Sequence, residues 1–75
     1  MKHLDECLYY LVREMDGLGV RAKDVYFDDA LAGLKEPGRP NLRRIEIRAL
    51  VYAARRRNRL SELDEVMGYE PGKAI

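Results

Sequence analysis

Residues 41–58 read NLRRIEIRALVYAARRRN and lie in the longest part of the chain that has neither glycine nor proline. At about 3.6 residues per turn, this stretch predicts one helix of about five turns. Asn41 is the predicted N-cap, because its side-chain oxygen can accept a hydrogen bond from an otherwise unpaired backbone N–H. Asn58 is well placed for the left-handed turn that ends a helix.

Apolar side chains cover a wide arc of this predicted helix. They are Leu42, Ile45, Ile47, Ala49, Leu50, Tyr52, Ala53 and Ala54. A helix that is apolar over so wide an arc has neighbours on several sides, so we expect it to be the central element of a small bundle.

The remaining arc of the helix is basic. At about 100° per residue, Arg44, Arg48 and Arg55 share one face, and Arg59 joins them if the helix continues that far. Three further arginines widen this face: Arg43, Arg56 and Arg57. The segment therefore combines a core element with a positively charged surface, which is typical of a binding module.

An amphipathic helix is predicted on residues 3–16, where apolar residues recur with the helical spacing i, i+3, i+4 and i+7. These residues are Leu4, Cys7, Leu8, Leu11, Val12 and Met15. Gly17 and Gly19 end the helix. We expect Leu18 and Val20, on either side of Gly19, to turn towards the core.

A second helix is predicted from about residue 23 to residue 34, with Asp24 as its N-cap. Its buried face carries Phe27, Ala30, Leu31 and Leu34. Residues 35–41 form a loop, because Pro-Gly and Pro-Asn pairs favour turns. Ser61 followed three residues later by Asp64 resembles a capping box, which predicts a short last helix that ends at the next glycine.

The chain as a whole predicts an all-α fold, namely a small single-domain helical bundle of four to six helices. Residues 1–68 form the bundle, and residues 69–75 form a tail or linker. The helical spacings together predict one core that contains Leu8, Leu11, Leu31, Ile45, Ala49, Tyr52 and Leu63.

Composition excludes several classes of function. The 14 basic and 13 acidic residues give a net charge of +1, so no overall field attracts nucleic acid or a membrane. His3 and Cys7 are the only residues of their types, and Cys7 lies on an apolar stripe, so we predict no catalytic, metal-binding or cofactor-binding residues and no enzyme activity. The lone cysteine and the lack of an apolar run of about 20 residues indicate a cytoplasmic protein.

Four short motifs carry a family resemblance. They are GLGV at residues 17–20, YFDD at residues 26–29, RALVY at residues 48–52 and RRRNRLSEL at residues 55–63. Together they resemble the bacterial effector-associated domains, in which a helix that ends in arginines runs through glycine into an R-L-x-E-L segment. Asn58 takes the glycine position here, and the resemblance covers about residues 17–67.

The effector-associated domains are death-like helical adaptors that occur beside nucleases, proteases and nucleotide-driven switches in conflict and anti-phage systems. Their members usually have five or six helices, whereas this sequence predicts four. The resemblance implies a death-like bundle that docks onto a like or complementary helical domain and thereby recruits an effector.

Two functions stay open at this point. In the first, a basic face on one domain meets acidic residues on another, which permits homotypic or heterotypic docking and homo-oligomers. The basic side is predicted to be Arg44, Arg48, Arg55 and Arg59, and the acidic side Asp28, Asp29, Glu62 and Glu65. In the second, the arginine-rich helix of a small helical protein binds the phosphates of DNA or RNA. The near-neutral total charge and the largely apolar helix argue against this alternative.

Overall fold

The structure is a computed structural model that describes residues 3–38 and 41–68, and these residues form four α-helices and no strand. The helices are α1 (Leu4–Asp16), α2 (Asp24–Lys35), α3 (Arg44–Arg56) and α4 (Leu60–Met67). The predicted all-α class is therefore confirmed. The tail predicted for residues 69–75 lies outside the described residues.

The helices pack in a ring. Helix α1 contacts α2 and α3, helix α4 also contacts α2 and α3, and α1 and α4 do not touch each other. Helices α2 and α3 also contact each other across the ring, so each of these two helices touches all three others, and the central position expected for α3 is shared with α2. The surface formed by α1 and α3 consequently lies on the opposite side of the bundle from the surface formed by α2 and α4.

One apolar core joins the four helices. Its buried residues are Cys7, Leu8, Leu11, Phe27, Ala30, Leu31, Leu34, Ala49, Leu50, Val51, Ala53, Ala54 and Leu63. The buried faces predicted for α1 and α2 are largely confirmed, including the core position of Cys7. All four predicted residues of α2 are buried, whereas Leu4, Val12 and Met15 of α1 are half-buried at the edge of the core.

Two residues predicted for the core of α3 are not fully buried. Ile45 is half-buried, and the prediction for Tyr52 is wrong, because 39 % of its surface is exposed. Tyr52 follows Arg48 by four positions and precedes Arg55 by three, so it shares their face rather than the face of Leu50. The prediction followed from the apolar character of the Tyr52 ring, whereas the position of Tyr52 on the helix places it beside the arginines.

Three predicted helix caps are wrong. Helix α3 begins three residues after Asn41, with Arg43 in the N-cap position, because the Glu46 carboxylate accepts a hydrogen bond from the Arg43 N–H at 2.7 Å. Asp24 is the first residue of α2 rather than its N-cap. Helix α4 begins at Leu60, and no side chain caps it, so the capping box proposed for Ser61 and Asp64 does not form.

The turn between α3 and α4 confirms the prediction for Asn58, which has a φ of 57°. The Arg59 N–H donates to the Ala54 carbonyl oxygen at 2.8 Å, and the Asn58 N–H donates to the Arg55 carbonyl oxygen at 3.1 Å. These two bonds form the Schellman motif that satisfies the last carbonyls of a helix. At the end of α4, Gly68 has a φ of 76°, as its predicted role requires.

The loop after α1 differs from its prediction. Leu18 is fully exposed and Val20 is 56 % exposed, so neither side chain turns towards the core. The Val20 N–H donates to the Gly17 carbonyl oxygen at 3.1 Å, and Gly19 has a φ of 77°, as in a type II turn. This tight turn projects its second residue, Leu18, away from the bundle.

Replacing Leu11 by alanine is expected to lower the free energy of unfolding by roughly 2–5 kcal/mol. Leu11 has no exposed surface, so the shorter side chain leaves a cavity in the core. Chemical denaturation followed by circular dichroism measures the loss, and Val12→Ala, at a half-buried neighbour, is the matched control. A loss below about 1 kcal/mol for Leu11→Ala would contradict the central position of this side chain.

Candidate binding surface

A groove with a basic rim lies between α1 and α3. Met15, Val51 and Tyr52 contribute its apolar part, and three arginines border it, namely Arg48, Arg55 and Arg56. We call this surface the basic groove. It forms because the arginines and Tyr52 occupy the arc of α3 that faces away from the core, while Met15 reaches the same place from the last turn of α1.

The arginines of the basic groove differ in what they bind. Arg56 donates to the backbone carbonyl oxygens of Val20 at 2.9 Å and Gly19 at 3.3 Å, so its guanidinium holds the loop after α1. Arg48 and Arg55 are exposed and form no salt bridge with any residue that the structure describes. Their charges therefore face solvent and are available to a partner.

Arg44 is the first residue of α3 and is also exposed. It follows the same helical face as Arg48, one turn towards the N-terminus, but it does not line the basic groove. The three arginines that the sequence placed on one stripe are thus all at the surface, with Arg48 and Arg55 bordering the groove and Arg44 beyond its end.

A second groove lies between α2 and α4, on the opposite side of the bundle. Leu31, Leu34 and Val66 form its base, and Pro37 forms part of its edge. Three carboxylates and one ammonium line it, namely Glu36, Glu62, Glu65 and Lys35. We call this surface the acidic groove.

Arg59 and two of the predicted acidic residues pair with one another inside the chain. The Arg59 guanidinium lies 2.7 Å from the Asp28 carboxylate and contacts Glu62 through two bonds of 2.7 and 2.8 Å. The hydrogen bond from Arg59 holds the pKa of Glu62 below its usual value, and the bonds to Glu62 and Asp28 raise the pKa of Arg59. Arg59 therefore lies with the acidic residues instead of extending the basic face, because α3 ends before it.

The remaining acidic residues predicted for partner binding fall in different places. Glu65 is exposed, lines the acidic groove and forms no salt bridge with any described residue. Asp28 and Asp29 lie on α2 outside the lining of both grooves, and Asp29 is half-buried. Glu36, which the sequence prediction did not include, joins Glu65 in the groove.

A buried ion pair that the sequence prediction missed joins α1 to the end of α3. The Glu14 side chain is fully buried, the Arg57 side chain is 2 % exposed, and two bonds of 2.9 Å link them. Arg57 also donates to Asp24 at 2.9 Å and to the carbonyl oxygens of Ala22 and Ala53 at 2.8 and 3.1 Å. Every nitrogen of this guanidinium thus has an acceptor, which is the condition for burying a charge.

The sequence positions of Glu14 and Arg57 relative to buried apolar residues could have predicted this ion pair. Glu14 follows Leu11 by three positions and Cys7 by seven, and Arg57 follows Ala53 by four and Leu50 by seven. Each charge consequently continues the buried face of its helix, and a charge on a buried face requires a partner. Burial raises the pKa of Glu14, but hydrogen bonds from Arg57 and the Ala22 N–H outweigh this effect and lower the pKa below 4.5.

Within residues 3–38 and 41–68, no group of three or more histidine, cysteine, aspartate or glutamate side chains is placed to hold a metal ion. The longest helices of these segments have 13 residues and none has the length and apolar content that a bilayer crossing requires. Comparison with models of protein families, with curated proteins and with solved structures finds no match for this chain.

Proposed function

We propose that the chain is a protein-interaction domain that binds a like or complementary helical domain through its basic groove. The observation that carries this proposal is the pair of grooves, one basic and one acidic, on opposite sides of a single bundle. A surface and its complement on opposite sides permit head-to-tail association, in which each copy offers one groove to each neighbour.

The charges in the two grooves favour this association. Arg48 and Arg55 border the same groove about two helical turns apart, and neither has a salt-bridge partner among the described residues, so their like charges repel each other weakly in the free domain. Carboxylates such as Glu36 and Glu65 of a second copy would remove that repulsion and accept charge-assisted hydrogen bonds from the guanidinium groups. The apolar base of each groove adds a contribution that does not depend on salt.

Recruitment of an effector is the second part of the proposal, and the resemblance to the effector-associated domains supports it. In that role the chain is a death-like adaptor of a bacterial conflict or anti-phage system that brings a nuclease, a protease or a nucleotide-driven switch to its site of action. Head-to-tail association suits this role, because a row of adaptors concentrates the effectors bound to it.

Binding of DNA or RNA is the alternative, and the exposed Arg44, Arg48 and Arg55 favour it. Tyr52 and Met15 occupy the surface between and beside these arginines, however. Met15 has no hydrogen-bond donor, and Tyr52 offers one hydroxyl in place of the paired donor and acceptor with which Asn or Gln binds a base edge. We therefore expect no complex with DNA or RNA tighter than about 10 μM at physiological salt, within the range of non-specific binding.

Reversing both free charges of the basic groove tests the proposal. We expect Arg48→Glu with Arg55→Glu to weaken self-association at least about tenfold, because attraction to the acidic groove becomes repulsion. Sedimentation velocity at low and physiological salt measures the association, which should weaken with salt in the unaltered chain. Reversal at Arg13 and Arg43, which are exposed outside both grooves, is the control with the same change in net charge.

A mixing experiment determines whether the two grooves face each other. A chain with Glu36→Arg and Glu65→Arg should also fail to self-associate, whereas a mixture with the Arg48→Glu, Arg55→Glu chain should form complexes through the grooves that remain intact. Self-association that survives both double reversals would overturn the proposal. A sub-micromolar, sequence-preferring complex with DNA or RNA that the arginine reversal removes would establish the alternative.

A further inference from the structure

Leu18 is the most exposed large apolar side chain among the described residues, with its whole surface in solvent. Single exposed leucines are common on protein surfaces, so exposure alone indicates nothing. Two further features distinguish this one, namely the way in which its loop is held and the place where the loop lies.

Hydrogen bonds hold the loop at both of its ends. The Gly17 N–H donates to the Arg13 carbonyl oxygen at 2.7 Å, and the Val20 N–H closes the turn. Arg56 then binds the carbonyl oxygens of Gly19 and Val20. A side chain presented on a held turn loses little conformational freedom when a partner covers it, so its burial contributes more fully to affinity.

The loop adjoins the basic groove. Arg56 both borders that groove and binds the loop, so Leu18 projects from the same end of the molecule as Arg55 and Arg56. In a head-to-tail contact, the loop of one copy consequently approaches the acidic groove of the next. Val66, which is half-buried, and Pro37, which is exposed, offer apolar surface there.

We infer that Leu18 is the apolar anchor of the docking surface and that it inserts between Pro37 and Val66 in the acidic groove of a second copy. This inference rests on the proposed function and adds a specific contact to it. Charge complementarity identifies the occupant, because the arginines beside Leu18 face Glu36 and Glu65 when the leucine enters the groove. The contact is heterologous, so each copy donates one Leu18 and receives another.

Replacing Leu18 by serine tests the anchor. We expect self-association about 10- to 100-fold weaker, since this range corresponds to the burial of one leucine side chain. The loss should be as large at high salt as at low salt, unlike the loss caused by charge reversal. Because Leu18 contacts nothing in the free domain, the melting temperature should stay unchanged. Val25→Ser, at another exposed apolar residue outside both grooves, is the control.

Disulfide trapping tests the position of the contact. A chain with Leu18→Cys mixed with a chain with Val66→Cys should form mixed disulfides faster than either chain forms its own, while Cys7 stays buried and unreactive. A Val25→Cys chain mixed with the Val66→Cys chain is the control. Predominant pairing of Leu18→Cys chains with each other would overturn the inference, because it indicates an isologous contact.

The outcomes separate this inference from the proposed function. If the Leu18→Ser chain associates as tightly as the unaltered chain while the Arg48→Glu, Arg55→Glu chain does not associate, Leu18 is not the anchor and the proposed function stands. If neither variant changes the association, both are wrong. If the unaltered chain stays monomeric at millimolar concentration, the second copy is not the occupant and this inference is overturned.

Discussion

Replacing Arg57 by methionine is expected to lower the free energy of unfolding by about 3–5 kcal/mol, because the change leaves Glu14 buried without its cation. A chain of 75 residues has a total stability of about 4–11 kcal/mol, so this loss threatens the fold itself. Chemical denaturation at pH 7 measures the effect. Arg56→Met, at the exposed neighbour that binds only loop carbonyls, is the matched control and should lose much less.

A second substitution shows whether the unpaired charge causes the loss. Glu14→Gln in the Arg57→Met chain should restore at least half of the lost stability, since it removes the buried charge and keeps the oxygen that accepts the Ala22 N–H. A double variant that is as unstable as Arg57→Met alone would show that Arg57 acts through Asp24 and the backbone carbonyls instead.

The pH dependence of the free energy of unfolding gives an independent test of the Glu14–Arg57 ion pair. The folded-state pKa of Glu14 lies below its ordinary value of 4.5, so its contribution to stability is complete above that pH and is lost as the pH falls through the folded-state pKa. In the Arg57→Met chain the buried carboxylate gains a proton readily. The difference in stability between the two chains should therefore begin to narrow at a pH above 4.5, where the unpaired carboxylate takes up its proton, and should continue to narrow below pH 4.5 as the paired Glu14 of the unaltered chain is protonated. Glu62, whose pKa is also lowered, adds to the acid sensitivity of the unaltered chain.

Replacing Phe27 by alanine is expected to lower the free energy of unfolding by about 3–5 kcal/mol. Its ring is fully buried, and the guanidinium carbons of Arg57 and Arg59 lie 5.5 and 4.9 Å from the ring centre. The substitution therefore removes a large core side chain together with two cation–π contacts. Denaturation by urea at pH 7 measures the loss.

Phe27→Leu separates volume from the contacts with the arginines. Leucine keeps most of the buried apolar surface and loses the aromatic ring, so we expect a smaller loss of about 1–2 kcal/mol. If Phe27→Leu is as unstable as Phe27→Ala, the ring matters mainly as a partner of the two cations. If Phe27→Ala loses less than about 1 kcal/mol, the ring does not hold the bundle at this point.

The secondary structure and most of the core could be predicted from spacing. The i, i+3, i+4 pattern of α1 and α2 identified Leu11 and Phe27 as core residues, because helical periodicity is a property of neighbouring residues. Helix ends were less predictable. Asn41 and Asp24 have suitable side chains for capping, but the Glu46 carboxylate accepts the Arg43 N–H at the start of α3, and the Asp24 carboxylate accepts a hydrogen bond from Arg57. The partner of Asp24 lies 33 positions away, so local spacing could not reveal it.

The surface position of some candidate residues could be predicted from the sequence. Exposure of Arg44, Arg48 and Arg55 follows from their shared face on α3, and this part of the prediction agrees with the structure. Spacing did not predict which of the other charged residues pair with one another inside the chain. Arg59 lies beside Asp28 and Glu62 only because the turn at Asn58 changes the direction of the chain. The grooves themselves need two helices each, so no single segment could reveal them.

By itself, the sequence determined four helical segments, the breaks between them and the arc of α3 that carries arginine. These properties depend on residues within about one or two turns of one another, where the backbone geometry is known in advance. Only the tertiary structure decided that Arg57 is buried against Glu14, 43 positions away, while Arg48 and Arg55 stay in solvent. Chemically identical side chains take these different roles because the packing of α1 on α3 places a buried carboxylate beside Arg57 and leaves Arg48 and Arg55 in contact with water.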